Sequence, residues 1–206
     1  MNYREFSALR WVATVYGLLV GFAGIEHGIF EVLQGDIPAD SIMIDAIGDS
    51  WRFWPGASER ALTLIPNYLY SGILSTILGV IVVIWSWMFI ERRYGATVFL
   101  VLTISLFLVG GGFAPIFVSI LATITATRIN QPLNWWKNHM PGQVAKTWPW
   151  ALILFVIVFI AAVGMQIFGS PLGVEMTTSL VIYLALGMLI MLPIGTVSGI
   201  AKDVAD

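Results

Sequence analysis

The chain has 206 residues, 58% of them hydrophobic and 11% charged, with a mean hydropathy of +0.88. A soluble domain carries roughly a quarter charged residues, so this chain lacks the charge to cover a water-facing surface and reads as an integral membrane protein. A formal net charge of -2 without a basic stretch points away from nucleic acid, and the absence of cysteine excludes disulfides, thiolate metal sites and Fe–S clusters.

The N-terminal MNYREFSALRW has the charge of a signal-peptide start. The apolar run behind it is too long for one, and no small-x-small cleavage site follows. Residues 11–33 therefore read as a retained first span. Residues 34–65 form the sizeable segment outside the membrane, carrying Asp36, Asp40, Asp45, Asp49 and Glu59 against Arg52 and Arg60. Within it, DSIMIDAIGDSWRFWPG mixes spaced acids with Ile, Met, Trp and Phe, which predicts an acidic, amphipathic element on the outer face or capping the bundle. SERALTLIP reads as a short helix, with Ser58 as N-cap and Pro66 as terminator or kink. Spread surface carboxylates are ordinarily solvated, and these are read that way.

A second span covers residues 68–90 and is closed by ERRYG. The next apolar stretch, 96–127, is interrupted at 110–115 by GGGFAP. Read as a tight turn between two short spans, the interruption gives six crossings. Read as a break in one long helix, it gives five. Lysine and arginine concentrate on the cytoplasmic side of membranes, and this decides between them. Six spans place Arg4, Arg10, Arg92, Arg93, Arg128, Lys137, Lys146 and Lys202 inside, leaving Arg52 and Arg60 outside. A re-entrant hairpin over 96–127 has the same sidedness. Short helices around a Gly/Pro break line substrate sites in some transporters, but an ordinary loop is the commoner use of such residues and is the expectation here. Residues 148–168 and 176–200 supply the last two spans. Trp85, Trp87, Trp135, Trp136, Trp148 and Trp150 fall near the inner interface, and Trp51 and Trp54 in the outer loop, as interfacial anchors. The predicted fold is a single all-α polytopic membrane domain over 1–206. It has six spans, N-in and C-in, in a plasma or inner membrane.

The outer half of the first span, GIEHGIFEVLQG (24–35), holds Glu26, His27 and Glu31 where a lipid-facing helix carries no charge. At 100° per residue Gly17, Gly21, Gly24, Gly28 and Gly35 share one stripe, a surface that lets membrane helices approach closely. Glu31 lies at its edge and His27 one turn before, so both face the bundle, whereas Glu26 points away. Asn67, Tyr70, Gln166 and Glu175 fall at the same depth and form the expected polar shell. Ionisable residues within spans are costly, which favours a cluster that binds or relays a proton or a divalent cation from the outer side. As a metal site, Glu26, His27 and Glu31 would need outside ligands, because Glu26 diverges. Haem is disfavoured, since the two histidines, His27 and His139, lie on opposite sides in this topology. No nucleophile elbow, zincin, P-loop or dinucleotide motif is present, so an enzyme is the weaker expectation. The leading expectation is a small transport-type or ion-binding protein that associates with itself or with a larger membrane complex. An accessory or assembly subunit with a structural polar cluster is the alternative. An intramembrane enzyme acting on a lipid or quinone, with His27 as base, is the third.

Overall fold

The computed structural model describes residues 7–48, 59–168, 173 and 177–206, with the backbone alone at 163–168 and 178. The described chain is mostly helical: α1 (Ala8–Gln34), α2 (Tyr68–Met88), α3 (Gly95–Phe107), α4 (Phe113–Ala126), α5 (Asn134–His139), α6 (Trp150–Phe168) and α7 (Thr178–Ala205). Two short strands, β1 (Met43–Asp45) and β2 (Arg60–Leu62), lie between α1 and α2, and a 3-10 turn covers Val144–Thr147. Four helical segments are long and apolar enough to cross a membrane: Ala8–Gln34, Tyr68–Met88, Val144–Ala162 and Ser179–Ala205. Their outer faces carry exposed aliphatic side chains, such as Ile73, Ile77, Ile84, Ile157, Ile160, Leu186 and Ile190. Surfaces of this kind suit lipid and would be untenable in water.

The chain divides into two compact units, and it passes from one to the other near the start of α1 and again after α4. One unit comprises α1 from Ala13 onward, β1, β2, α2, α3 and α4. Its spine is the glycine stripe of α1, which meets a matching set of small residues on α2. A methyl built on Gly28 would stand 2.6 Å from the Gly72 carbonyl, and one on Gly72 would stand 2.5 Å from the Gly28 carbonyl. Gly21 and Gly79 face each other in the same reciprocal way at 2.8 Å. Between these pairs the Ser75 hydroxyl donates to the Gly24 carbonyl at 3.0 Å. The helices run antiparallel in backbone contact, the geometry that small residues permit. Gly17 packs on Ser86 and on Phe99 of α3, and Gly24 on Leu106 of α3. The stripe is thus occupied within the chain. Gly35, with φ +90°, ends α1 in the left-handed conformation that favours glycine.

Residues 96–127 form neither one long helix nor one broken helix. α3 and α4 fold back on each other around a tight turn at 108–112, in which Gly110 and Gly112 adopt φ of +100° and +81°. At 13 and 14 residues, they are about 20 Å long, short of a hydrocarbon core of about 30 Å.

The outer segment also departs from expectation. The described part of SERALTLIP, residues 59–66, is not helical: Arg60–Leu62 is a strand paired antiparallel with β1, Ile44 opposite Ala61. Ala61 and Thr63 are buried while Arg60 and Leu64 are exposed. That period of two belongs to a strand. Tertiary pairing prevails over the weak local helix signal. Ser58, Trp51 and Trp54 lie outside the described residues. The hairpin holds its own small core of Ile44, Ala46 and Ala61, covered by Ala39 and Tyr68. Gln34, at the end of α1, anchors it by donating to the carbonyls of Asp45 (3.1 Å) and Ala46 (2.8 Å).

The other unit comprises the first residues of α1 with α5, the 3-10 turn, α6 and α7. The α6–α7 pair is its main packing, and α5 and the 3-10 turn rest on α7. Near the end of α7, the buried Asp203 carboxylate accepts from the backbone N–H of Ala8 (2.6 Å) and of Leu9 (3.2 Å), and from the Ser7 hydroxyl (2.7 Å). This carboxylate caps α1 from the opposite end of the chain, an arrangement the N-terminus of a helix favours through its free N–H groups and dipole.

Candidate functional site

His27 and Glu31 both face inward, as the helical wheel of α1 requires, and both are buried, at 3% and 0% exposure. The turn between α3 and α4 lies directly on them. The Glu31 carboxyl fills the space where a side chain on Gly110 would stand. A methyl on Gly112 would meet Cε1 and Nε2 of His27 at 2.6 Å. The glycine break that reads as an ordinary loop in sequence is therefore the roof of this pocket. Glycine is required there twice over, by positive φ and by the approach of two functional side chains.

The turn is held in place from outside by the hairpin. Thr63 and Val109 form an antiparallel bridge. Across it, Leu64 N–H donates to the Leu108 carbonyl and Gly110 N–H to the Leu62 carbonyl, each at 2.9 Å. The Ser71 hydroxyl of α2 sits under this junction, 2.7 Å from Thr63 Oγ1 and 3.0 Å from the Val109 carbonyl.

The hairpin also brings a third ionisable group. Glu59, immediately before β2, places Oε2 2.7 Å from Nε2 of His27. The His27 side chain is 4% exposed and that of Glu59 35%. With Glu59 as carboxylate, Nε2–H donates to it. The other ring nitrogen, Nδ1, is buried with no hydrogen-bond partner, and so are both oxygens of Glu31. Ser71 is the hydroxyl neighbour of Glu31, but its bonds run to Thr63 and Val109. Buried polar atoms are nearly always paired, so three orphaned atoms on adjacent turns of one helix call for an explanation. An ionised carboxyl in such a place is stabilised only by a cation or proton.

Glu26 is half-buried on the flank of this cluster, with Glu59 and His27 as its charged neighbours. Among the described residues no three His, Asp or Glu side chains converge as a group able to hold a metal ion, so Glu26, His27 and Glu31 do not form the expected metal site. The reason is angular: adjacent residues on a helix diverge by 100°, and Glu59 engages the histidine instead.

Of the expected polar shell, only Asn67 and Tyr70 have described side chains, and their contacts lie elsewhere. Asn67 is the N-cap of α2, accepting from Tyr70 N–H at 3.2 Å and donating to Asp36 at 2.7 Å. Tyr70 is exposed. The Gln166 side chain and Glu175 lie outside the described residues. Glu59 bonds His27, and Ser71 with Thr63 lies under the turn beside Glu31. His139 is exposed on α5, stacked on Trp135 with ring centroids 4.6 Å apart.

No protein-family model matches this chain, and comparison with curated proteins and with solved structures gives no match.

Proposed function

We propose that this protein is an integral membrane protein that binds and exchanges a proton from the outer side at the buried His27–Glu31 pair. The observation that carries this reading is Glu31: fully buried, with both oxygens unpartnered, beneath a glycine turn shaped to admit it. A proton is the smallest cation that completes such a site and needs no further ligands. A divalent ion needs several.

The membrane arrangement is six embedded helices with both ends of the chain on the cytoplasmic side. The Asp203 cap on α1 supports it, because it ties the beginning of the first helix to the end of the last. The charges support it too: Arg92 and Arg93 precede α3, Arg128 follows α4 and Lys202 lies in the last turn of α7, and such charges concentrate on the cytoplasmic side of membranes. The α3–α4 pair enters from there and turns at the level of Glu31. The chain then belongs in a plasma or inner membrane.

The test is proton flux into liposomes containing the purified protein and an interior pH dye, driven by a potassium diffusion potential. Glu31→Gln and His27→Gln are each expected to slow acidification about tenfold or more, the usual scale for losing a positioned proton carrier. Flux unchanged in both variants would remove the transport reading. Copurification with a stoichiometric membrane partner, together with unchanged flux, would favour an accessory subunit.

A further inference from the structure

We infer that Glu59 is the outer port of this site, taking protons from water and passing them to His27 Nε2. The inference rests on the proton-exchange reading of His27 and Glu31, and adds to it a residue from outside α1, the helix that carries the expected cluster.

Three observations carry it. Glu59 spans the boundary: its side chain is 35% exposed, yet one oxygen lies 2.7 Å from a ring that is 4% exposed. Its bond uses Nε2, leaving Nδ1 as the second exchange atom of the ring, buried and without a partner. On the side of the turn, Gly112 lies directly against the ring. Among the described residues, the ionisable groups around His27 are Glu59 on the hairpin and Glu26 and Glu31 on its own helix.

The transfer balances as follows. A protonated Glu59 donates its proton to Nε2 of a ring that carries hydrogen on Nδ1. The ring and the Glu31 carboxyl, one turn further along α1, are not hydrogen-bonded to each other in the structure, so the Nδ1 proton passes to the Glu31 carboxylate once a side-chain rotation brings the two into contact. Glu59 ends as a carboxylate accepting from Nε2–H, the arrangement seen in the structure, and Glu31 ends neutral. One proton has entered and one has been received; the ring stays neutral but changes from the Nδ1–H to the Nε2–H tautomer, and it must revert before the next transfer.

The experiment uses the same proteoliposomes. Glu59→Gln keeps an oxygen able to accept from Nε2–H but cannot carry a proton. Its flux is expected to fall about tenfold. Raising the concentration of a membrane-impermeant sulfonate buffer on one side of the membrane, and not on the other, is expected to restore it. A merely structural role does not produce such one-sided rescue. Glu59→Asp is the second arm, should the glutamine variant not fold by circular dichroism. It draws the acid back by one methylene, and slowed flux that the buffer restores is again expected. Wild-type flux in Glu59→Gln at all buffer concentrations overturns the port while leaving the His27–Glu31 reading in place. A loss that buffer does not restore, in either variant, assigns Glu59 to structure and also overturns it. Absence of flux in the wild type removes the underlying reading, and the port with it.

Discussion

The carboxyl of Glu31 on α1 occupies the volume that a side chain on Gly110 would need, and Gly110 holds φ +100° to keep that volume open. Gly110→Ala is therefore penalised twice, by left-handed backbone and by collision with the carboxyl. The expected loss is roughly 2 kcal/mol or more. Gly35→Ala is the control: its φ is +90° but nothing lies within 4 Å, so only the conformational cost of about 1 kcal/mol applies. Denaturant unfolding in detergent, followed by tryptophan fluorescence, measures both. Equal losses at the two positions would show that Glu31 does not press on the turn.

The glycine contacts between α1 and α2 make a prediction about coupling. Gly28→Ala and Gly72→Ala each place a methyl against the opposing carbonyl, at 2.6 and 2.5 Å, so either one forces the helices apart. Each is expected to destabilise by about 1–3 kcal/mol, the range for overpacking a tight contact. Once the helices have separated, the second methyl meets less resistance. The double variant should then cost less than the sum of the two, by roughly 0.5 kcal/mol or more. Gly142→Ala, with nothing within 4 Å, is expected to be neutral. Strict additivity would place the two glycines in separate contacts.

Much of this arrangement is legible in the sequence, and the boundary between what is and what is not has a physical cause. Hydropathy marks the long helices, because lipid demands continuous apolar length. Helical periodicity puts His27, Glu31 and the glycines on the packed side of α1, since those relations are local to one helix. Glu59 is invisible to such reasoning. It lies 32 residues from its partner, in a segment whose scattered acids look like any solvated face. Asn67 errs the other way: it has the right depth, but its side chain is committed to capping α2. The β2 strand does leave a trace, in the small buried Ala61 and Thr63 alternating with larger neighbours, though three residues are too few to outweigh a helix reading. The role of GGGFAP depends on what lies beneath it, and only the fold brings α1 there.

Asp203 joins the two ends of the chain, and this too reads in sequence as no more than a polar tail. Asp203→Ala removes the acceptor of two N–H groups at the start of α1 and of the Ser7 hydroxyl. The expected cost is about 1–2 kcal/mol, typical of a lost N-cap. Asp203→Asn retains an acceptor oxygen and should recover part of it, the remainder measuring the carboxylate's attraction to the helix dipole. Ser7→Ala should cost less than either, because the backbone bonds survive. The same unfolding titration reads all three, and an Asp203→Ala variant as stable as wild type would show that α1 begins without this cap.

Glu31→Leu separates a functional carboxyl from a structural one most directly. A structural Glu31 holds something in place, so replacing it should lower stability. The geometry predicts otherwise: both oxygens are buried and without hydrogen-bond partners, so no hydrogen bond is lost. What leucine removes is a desolvated polar group, and it fills a similar volume against Ser71 and the glycine turn. Apolar replacement of buried ionic groups is often neutral or stabilising by about 1–4 kcal/mol. Glu31→Leu is therefore expected to unfold at the same or higher denaturant concentration than wild type while losing proton exchange. A carboxyl retained at a cost to stability is one kept for chemistry. A clear loss of stability in Glu31→Leu, with flux intact, would reverse that assignment and leave the cluster as packing.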